Sequence, residues 1–152
     1  MGIRKRAIKD TEGVGTQRHD LYAGVLGRVN QAIEDGYYLE AITLLESIIT
    51  DRLESFCNEQ TCSNRFAFKM LKTLITEAGK YPISDKWSDL LEKLNSWRDK
   101  RNKFLHEMAK IEEGDYSTFE DRYTTSKSYA EKGKKLFNEI HNEIKKYRKH
   151  KK

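Results

Sequence analysis

The chain has 152 residues, of which 35% are charged, 37% are apolar and a single one is proline. That length supports one domain with a core of its own, and the composition is that of a solvated helical bundle. No run is apolar enough to span a membrane, and the basic start MGIRKRAIK is followed by no apolar h-region, so the expected location is the cytoplasm, with no signal peptide.

Residues 1–19 read as a loose, basic N-terminal segment, because DTEGVGTQ carries two glycines and no apolar period. A first helix is expected over 20–35, with apolar positions at 21, 22, 25, 26, 29, 32 and 33 and Asp20 as its N-cap. Gly24 and Gly27 lie inside it; each weakens a helix by about 1 kcal/mol relative to alanine, unless close helix packing uses the space. Gly36 ends it. Residues 37–57 form the most apolar helix, with Tyr38, Ala41, Ile42, Leu45, Ile48, Ile49, Leu53 and Phe56 on one broad face. Glu46 sits at the edge of that face, as either an ordinary solvated carboxylate or a partner for a buried cation. After a polar connection at 58–64, helix is expected again over 65–78, closed by Gly79.

The next stretch, Ser84 to Gly114, reads as one long helix capped by Ser84 and ended by Gly114. One apolar register runs through 87, 91, 94, 105 and 108, and a second through 90, 94, 97, 104 and 108. A last helix is expected over 117–148, opened by the S-x-x-E box of Ser117 and Glu120 and interrupted at Gly133. Residues 149–152 remain as a basic tail. The fold class is therefore all-α, an up-and-down bundle of four main helices plus a fifth, with its domain over 20–148.

Arg101 is the anomaly, because both registers of the long helix place it on the apolar stripe. A guanidinium there stays protonated and must find partners. Asn102 follows it, and His106 lies one turn beyond Asn102, about 140° round the helix from Arg101. A permanent cation, an amide and an imidazole suit work on a phosphodiester. Arg98, Lys100 and Lys103 add local positive charge as candidate substrate contacts. A structural salt bridge beside a surface histidine is the competing reading of the same residues.

The net charge of +5 divides unevenly: residues 1–9 and 145–152 carry ten basic residues and no acid, which leaves the body of the chain at −5. Such basic ends serve either as solubilising tails or as phosphate contacts. His19, His141 and His150 read as surface residues. Cys57 and Cys62 are expected as free thiols; a metal site would need further ligands that the spacing does not offer, and no cofactor is expected. Trp87 and Trp97 are expected in the core or at an interface.

The stretch RDKRNKFLHEM, with Arg101, Asn102 and His106, resembles the R-x4-H signature of the HEPN superfamily (higher eukaryotes and prokaryotes nucleotide-binding), and the order of helices over 20–148 fits the same family. The resemblance implies a homodimer in which two motif helices face each other and form one composite cleft. It implies a metal-independent endoribonuclease that leaves 2′,3′-cyclic phosphate ends, acting as a toxin or antiviral effector, with RNA and a cognate antitoxin or other protein as partners. In that scheme His106 is the general acid or base, Arg101 stabilises the phosphoryl oxygens, and Asn102 orients His106 or the phosphate. A non-catalytic nucleotide- or RNA-binding module, or a helical regulatory subunit, is the alternative. The subgroup paired with a nucleotidyltransferase antitoxin carries a tyrosine two residues after the histidine; this chain has Met108 there.

Overall fold

The computed structural model describes residues 14–151, and the side chains of residues 15–151. Residues 1–13 of the expected basic N-terminal segment, and Lys152, lie outside the described residues. Among the described residues the chain is all-α, without strands: α1 (Val14–Asp35), α2 (Tyr38–Thr61), α3 (Leu71–Ala78), α4 (Trp87–His106) and α5 (Phe119–Lys151). No helix is long and apolar enough to cross a membrane. Helix α2 is the axis of the bundle and touches each of the other four. On its broad face Ile42, Leu45, Ile49, Leu53 and Phe56 are buried, as the helical period anticipates, while Tyr38 at its start is only partly buried.

The helix ends differ from the sequence expectation, each for a physical reason. Within the described residues α1 already covers residues 14–19, so Asp20 lies inside α1 rather than capping it. Its glycines Gly24 and Gly27 face open space and serve no close packing. Gly36 does end α1: at φ 84° it permits bonds from the Gly36 amide to the Ile33 carbonyl (3.3 Å) and from the Tyr37 amide to the Ala32 carbonyl (2.7 Å). Helix α2 runs on to Thr61 and is capped by Cys62 in the left-handed region. Helix α3 begins only at Leu71. The preceding turn is held by α2 side chains, with Asn58 Oδ1 accepting from the Phe66 amide (3.0 Å) and Glu54 Oε2 from the Phe68 amide (3.0 Å). These acceptors compete with helical pairing, and Phe68 takes φ 62°.

Helix α4 starts at Trp87 without a side-chain cap, so Ser84 contributes its backbone carbonyl instead. It ends at His106, eight residues before Gly114. Helix α5 is opened by a reciprocal pair one residue later than expected: the Asp121 amide donates to Thr118 Oγ1 (3.1 Å), and the Thr118 amide to Asp121 Oδ2 (3.0 Å). It continues to Lys151, so residues 149–151 extend a helix rather than form a separate tail.

Both tryptophans are core residues whose indole N–H groups are satisfied by backbone: Trp87 Nε1 donates to the Ala78 carbonyl and Trp97 Nε1 to the Tyr129 carbonyl, both at 2.9 Å. Gly133 does not interrupt α5. It lets α5 approach Trp97, and a β-carbon there would meet the indole at 2.7 Å and Leu45 at 3.1 Å. Opposite outcomes follow for two alanine substitutions. In urea unfolding, Gly133→Ala lowers stability by about 1–3 kcal/mol through overpacking against a rigid ring. Gly24→Ala, in open space, raises it by up to about 1 kcal/mol.

Candidate functional site

Arg101 lies on the face of α4 that buries Leu94, Trp97 and Phe104, so its stem enters the seam between α4 and α2. There its Nη1 is paired with Glu46 of α2, and the two side chains are 14% and 27% exposed. The stripe is thus covered within one chain, and Arg101 is tolerated on it because Glu46 neutralises it in place. Its Nε is buried without a hydrogen-bond partner, and burial lowers its pKa from the usual arginine value. Nη2 donates to Asn102 Oδ1 at 3.1 Å. The amide of Asn102 therefore bonds to Arg101, and no hydrogen bond joins it to His106 among the described residues.

His106 is the last residue of α4, exposed, with no hydrogen bond or ion pair to the described residues. It lies about 7.5 Å along the axis from Arg101. The fold thus joins Arg101, Asn102 and Glu46 into one fixed group and leaves His106 free at the open end of the same helix. The other candidate contacts diverge. Arg98 is held locally by Asn95 (3.1 and 3.2 Å) and Asp99 (2.7 Å). Lys100 is exposed above the Tyr129 ring, and Lys103 reaches towards Glu112 at 3.9 Å.

One residue that sequence reasoning missed shapes this end of the molecule. Arg122, in the first turn of α5, donates through Nη1 to the carbonyls of Glu107 (3.3 Å), Met108 (3.0 Å) and Lys110 (2.6 Å). Its Nε donates to Ser117 Oγ (2.9 Å), and Nη2 pairs with Asp115 (3.5 Å). One guanidinium therefore binds the whole strap that follows His106, taking carbonyls that a longer α4 would have paired internally. Three of its partners are backbone carbonyls, which no residue type in the sequence marks. Beneath the strap is a cleft of about 290 Å³ lined by Lys103, Phe104, Met108, Asp115 and Arg122 among others, with His106 outside it. The strap also leaves Ile111 and Tyr116 almost fully exposed. Among the described residues, no group of three or more His, Cys, Asp or Glu gathers as metal ligands. Both cysteines are free; Cys57 is buried, which pushes its thiol up to about 12.

No family model, curated protein or solved structure matches the chain.

Two of the remaining histidines differ from expectation. His19 is exposed, but it lies in α1 beside Asp20 (3.6 Å) rather than in a loose segment. His141 is half-buried rather than on the surface: it stacks on Phe137 (5.3 Å between ring centres), with Tyr22 edge-on at 6.0 Å. Burial, together with Arg52 of α2, Lys145 and Arg148 of α5 and His19 of α1, pushes its pKa down to about 4.

Two outcomes are expected. Arg122→Ala releases the strap, so amide hydrogen exchange at residues 107–117 rises while α2 and the rest of α5 stay protected. Separately, the unfolded chain binds a proton at residue 141 below about pH 6.5 that the native state refuses until about pH 4. Stability is therefore fully present above that range and falls with pH through it. Between pH 7 and 5, in phosphate-free buffer, wild type loses about 1 kcal/mol more than His141→Phe, the full linkage being reduced by partial solvent screening.

Proposed function

We propose that the chain is a HEPN-type endoribonuclease, and that it acts as a homodimer in the manner of a toxin or antiviral defence effector. The observation that carries this reading is the division of labour on α4. Arg101 is fixed in position by Glu46, and His106 stands free and exposed on the same helix. A cation held by packing can stabilise the charge that grows on phosphoryl oxygens, and an unpaired imidazole can accept or give a proton.

The reaction balances without an external reagent. The ribose 2′-oxygen bonds to phosphorus and loses its proton to a base, the P–O5′ bond breaks, and the departing 5′-oxygen takes up a proton. The products are a 2′,3′-cyclic phosphate and a 5′-hydroxyl. One chain offers one motif imidazole for two proton transfers, so a second copy that presents its own His106 completes the set. The exposed Ile111 and Tyr116 beside the motif helix offer apolar area for such a copy to cover. Lys100 and Lys103 are exposed and close enough in sequence to contact flanking phosphates.

A second reading has its own observation. Arg101 is already committed to Glu46, and His106 has no hydrogen-bond partner to orient it, as suits a helical module that binds RNA, a nucleotide or a partner protein without cutting. Incubation of a mixed RNA pool in EDTA, with the solution mass of each protein measured, separates the two. The nuclease reading expects a dimer that leaves cyclic-phosphate ends. It also expects His106→Ala to stay folded and dimeric and to lose about 10²-fold or more in rate. A dimeric wild type inert on every RNA, or cleavage undiminished in His106→Ala, overturns it.

A further inference from the structure

Away from the motif, α1, α2 and α5 enclose a second charged cluster. Its centre is Arg52 of α2, which is only 3% exposed. Its Nε is buried without a hydrogen-bond partner, and no ion pair joins it to a carboxylate among the described residues. The neighbouring acids are already engaged. Asp51 accepts from Arg18 Nε (3.1 Å) and the Tyr22 hydroxyl (2.5 Å). Glu59 accepts from both Nε (2.8 Å) and Nη2 (2.6 Å) of Arg148. His141 is close enough for the charge of Arg52 to act on its imidazole; its ring is fixed between Phe137 and Tyr22, and its Nδ1 is also buried without a partner.

The groups that face this centre come from all three helices: Arg18, His19 and Tyr22 from α1, Asp51 and Glu59 from α2, and His141, Lys145 and Arg148 from α5. With Arg52 included, four permanent cations stand against two carboxylates. A buried guanidinium with no counter-charge in contact costs several kcal/mol, and a fold keeps one most readily where an anion completes it. Burial, with Arg148 and Arg18 adding to it, pulls the Arg52 pKa down to about 10, in keeping with incomplete neutralisation. Access is from the rim, where Arg18 and Arg148 are partly exposed and His19 is fully so.

We propose that Arg52, His141 and Arg148 form a binding site for a phosphate group, either free or carried by a nucleotide. A guanidinium fork and an imidazole on separate helices offer donors from different directions, which suits a tetrahedral oxyanion better than a planar carboxylate. The site is distinct from the motif helix: Arg52 lies about 9 Å further along α2 than Glu46, and His141 about 18 Å further along α5 than Tyr129. It does not depend on whether the chain cuts RNA.

The test uses the full chain at pH 7, with thermal unfolding and imidazole NMR followed as sodium phosphate replaces sodium chloride at constant ionic strength. Wild type gains a saturable rise in Tm, and the His141 resonances shift in phosphate but not in chloride. Arg52→Met weakens phosphate binding by about tenfold or more, yet in chloride its Tm is at least that of wild type, because a buried lone charge has been removed. His141→Phe also weakens the phosphate response. A parallel titration with AMP separates the sources: tighter binding than phosphate points to a nucleotide, and equal or weaker binding to free phosphate. A wild type indifferent to both, or Arg52→Met with an undiminished response, overturns the proposal. Should Arg52→Met fail to fold, undiminished phosphate binding by His141→Phe does so.

Discussion

A guanidinium in the seam between two helices has to be neutralised where it stands, and Glu46 does this for Arg101. The pair ties α4 to the central helix at the level where Trp97 fills the gap left by Gly133. Apolar packing alone allows helices to slide by a turn with little penalty. An ion pair with one geometry, beside a ring against a bare backbone, does not. The direction of α4, and hence the place where His106 emerges, follows from those two contacts.

The helical cores were legible in the sequence because burial follows a strict period. The apolar stripe of α2 from Ala41 to Phe56 is buried, whereas the burial of Arg52, Glu54 and Ser55 beside it carries no periodic sign; the misplaced Arg101 was conspicuous because it broke such a stripe. Glu46 could be considered as its partner for the same reason, since it sat on the edge of the facing stripe. Helix ends were less legible, because they are set by partners distant in sequence. Asn58 and Glu54 hold open the turn before α3, and Arg122 draws off the carbonyls beyond His106. In the box that opens α5, Thr118 with Asp121 competes with Ser117 and Glu120, and neighbouring residues of equal capping power cannot be ranked from one strand of text.

The two charged regions solve the burial of arginine differently. Arg101 has a carboxylate facing it from another helix; Arg52 has cations around it and acids already bound elsewhere. His141 was hidden for a related reason. Helix α5 is the most polar of the chain, and the ring that half-covers His141 comes from Tyr22, more than a hundred residues earlier. A histidine on a polar helix gives no sign of such a neighbour.

The tie between Arg148 and Glu59 spans 89 residues of sequence, whereas α1 and α2 meet across a two-residue turn. Contacts of such different reach form in order of their loop-closure entropy. The α1–α2 hairpin can assemble from its own residues, while α5 docks only after most of the chain has been gathered. The apolar face of α2 that α5 covers is thus the last to be shielded during folding, and for that interval it is the surface most open to a chaperone or to another unfinished chain.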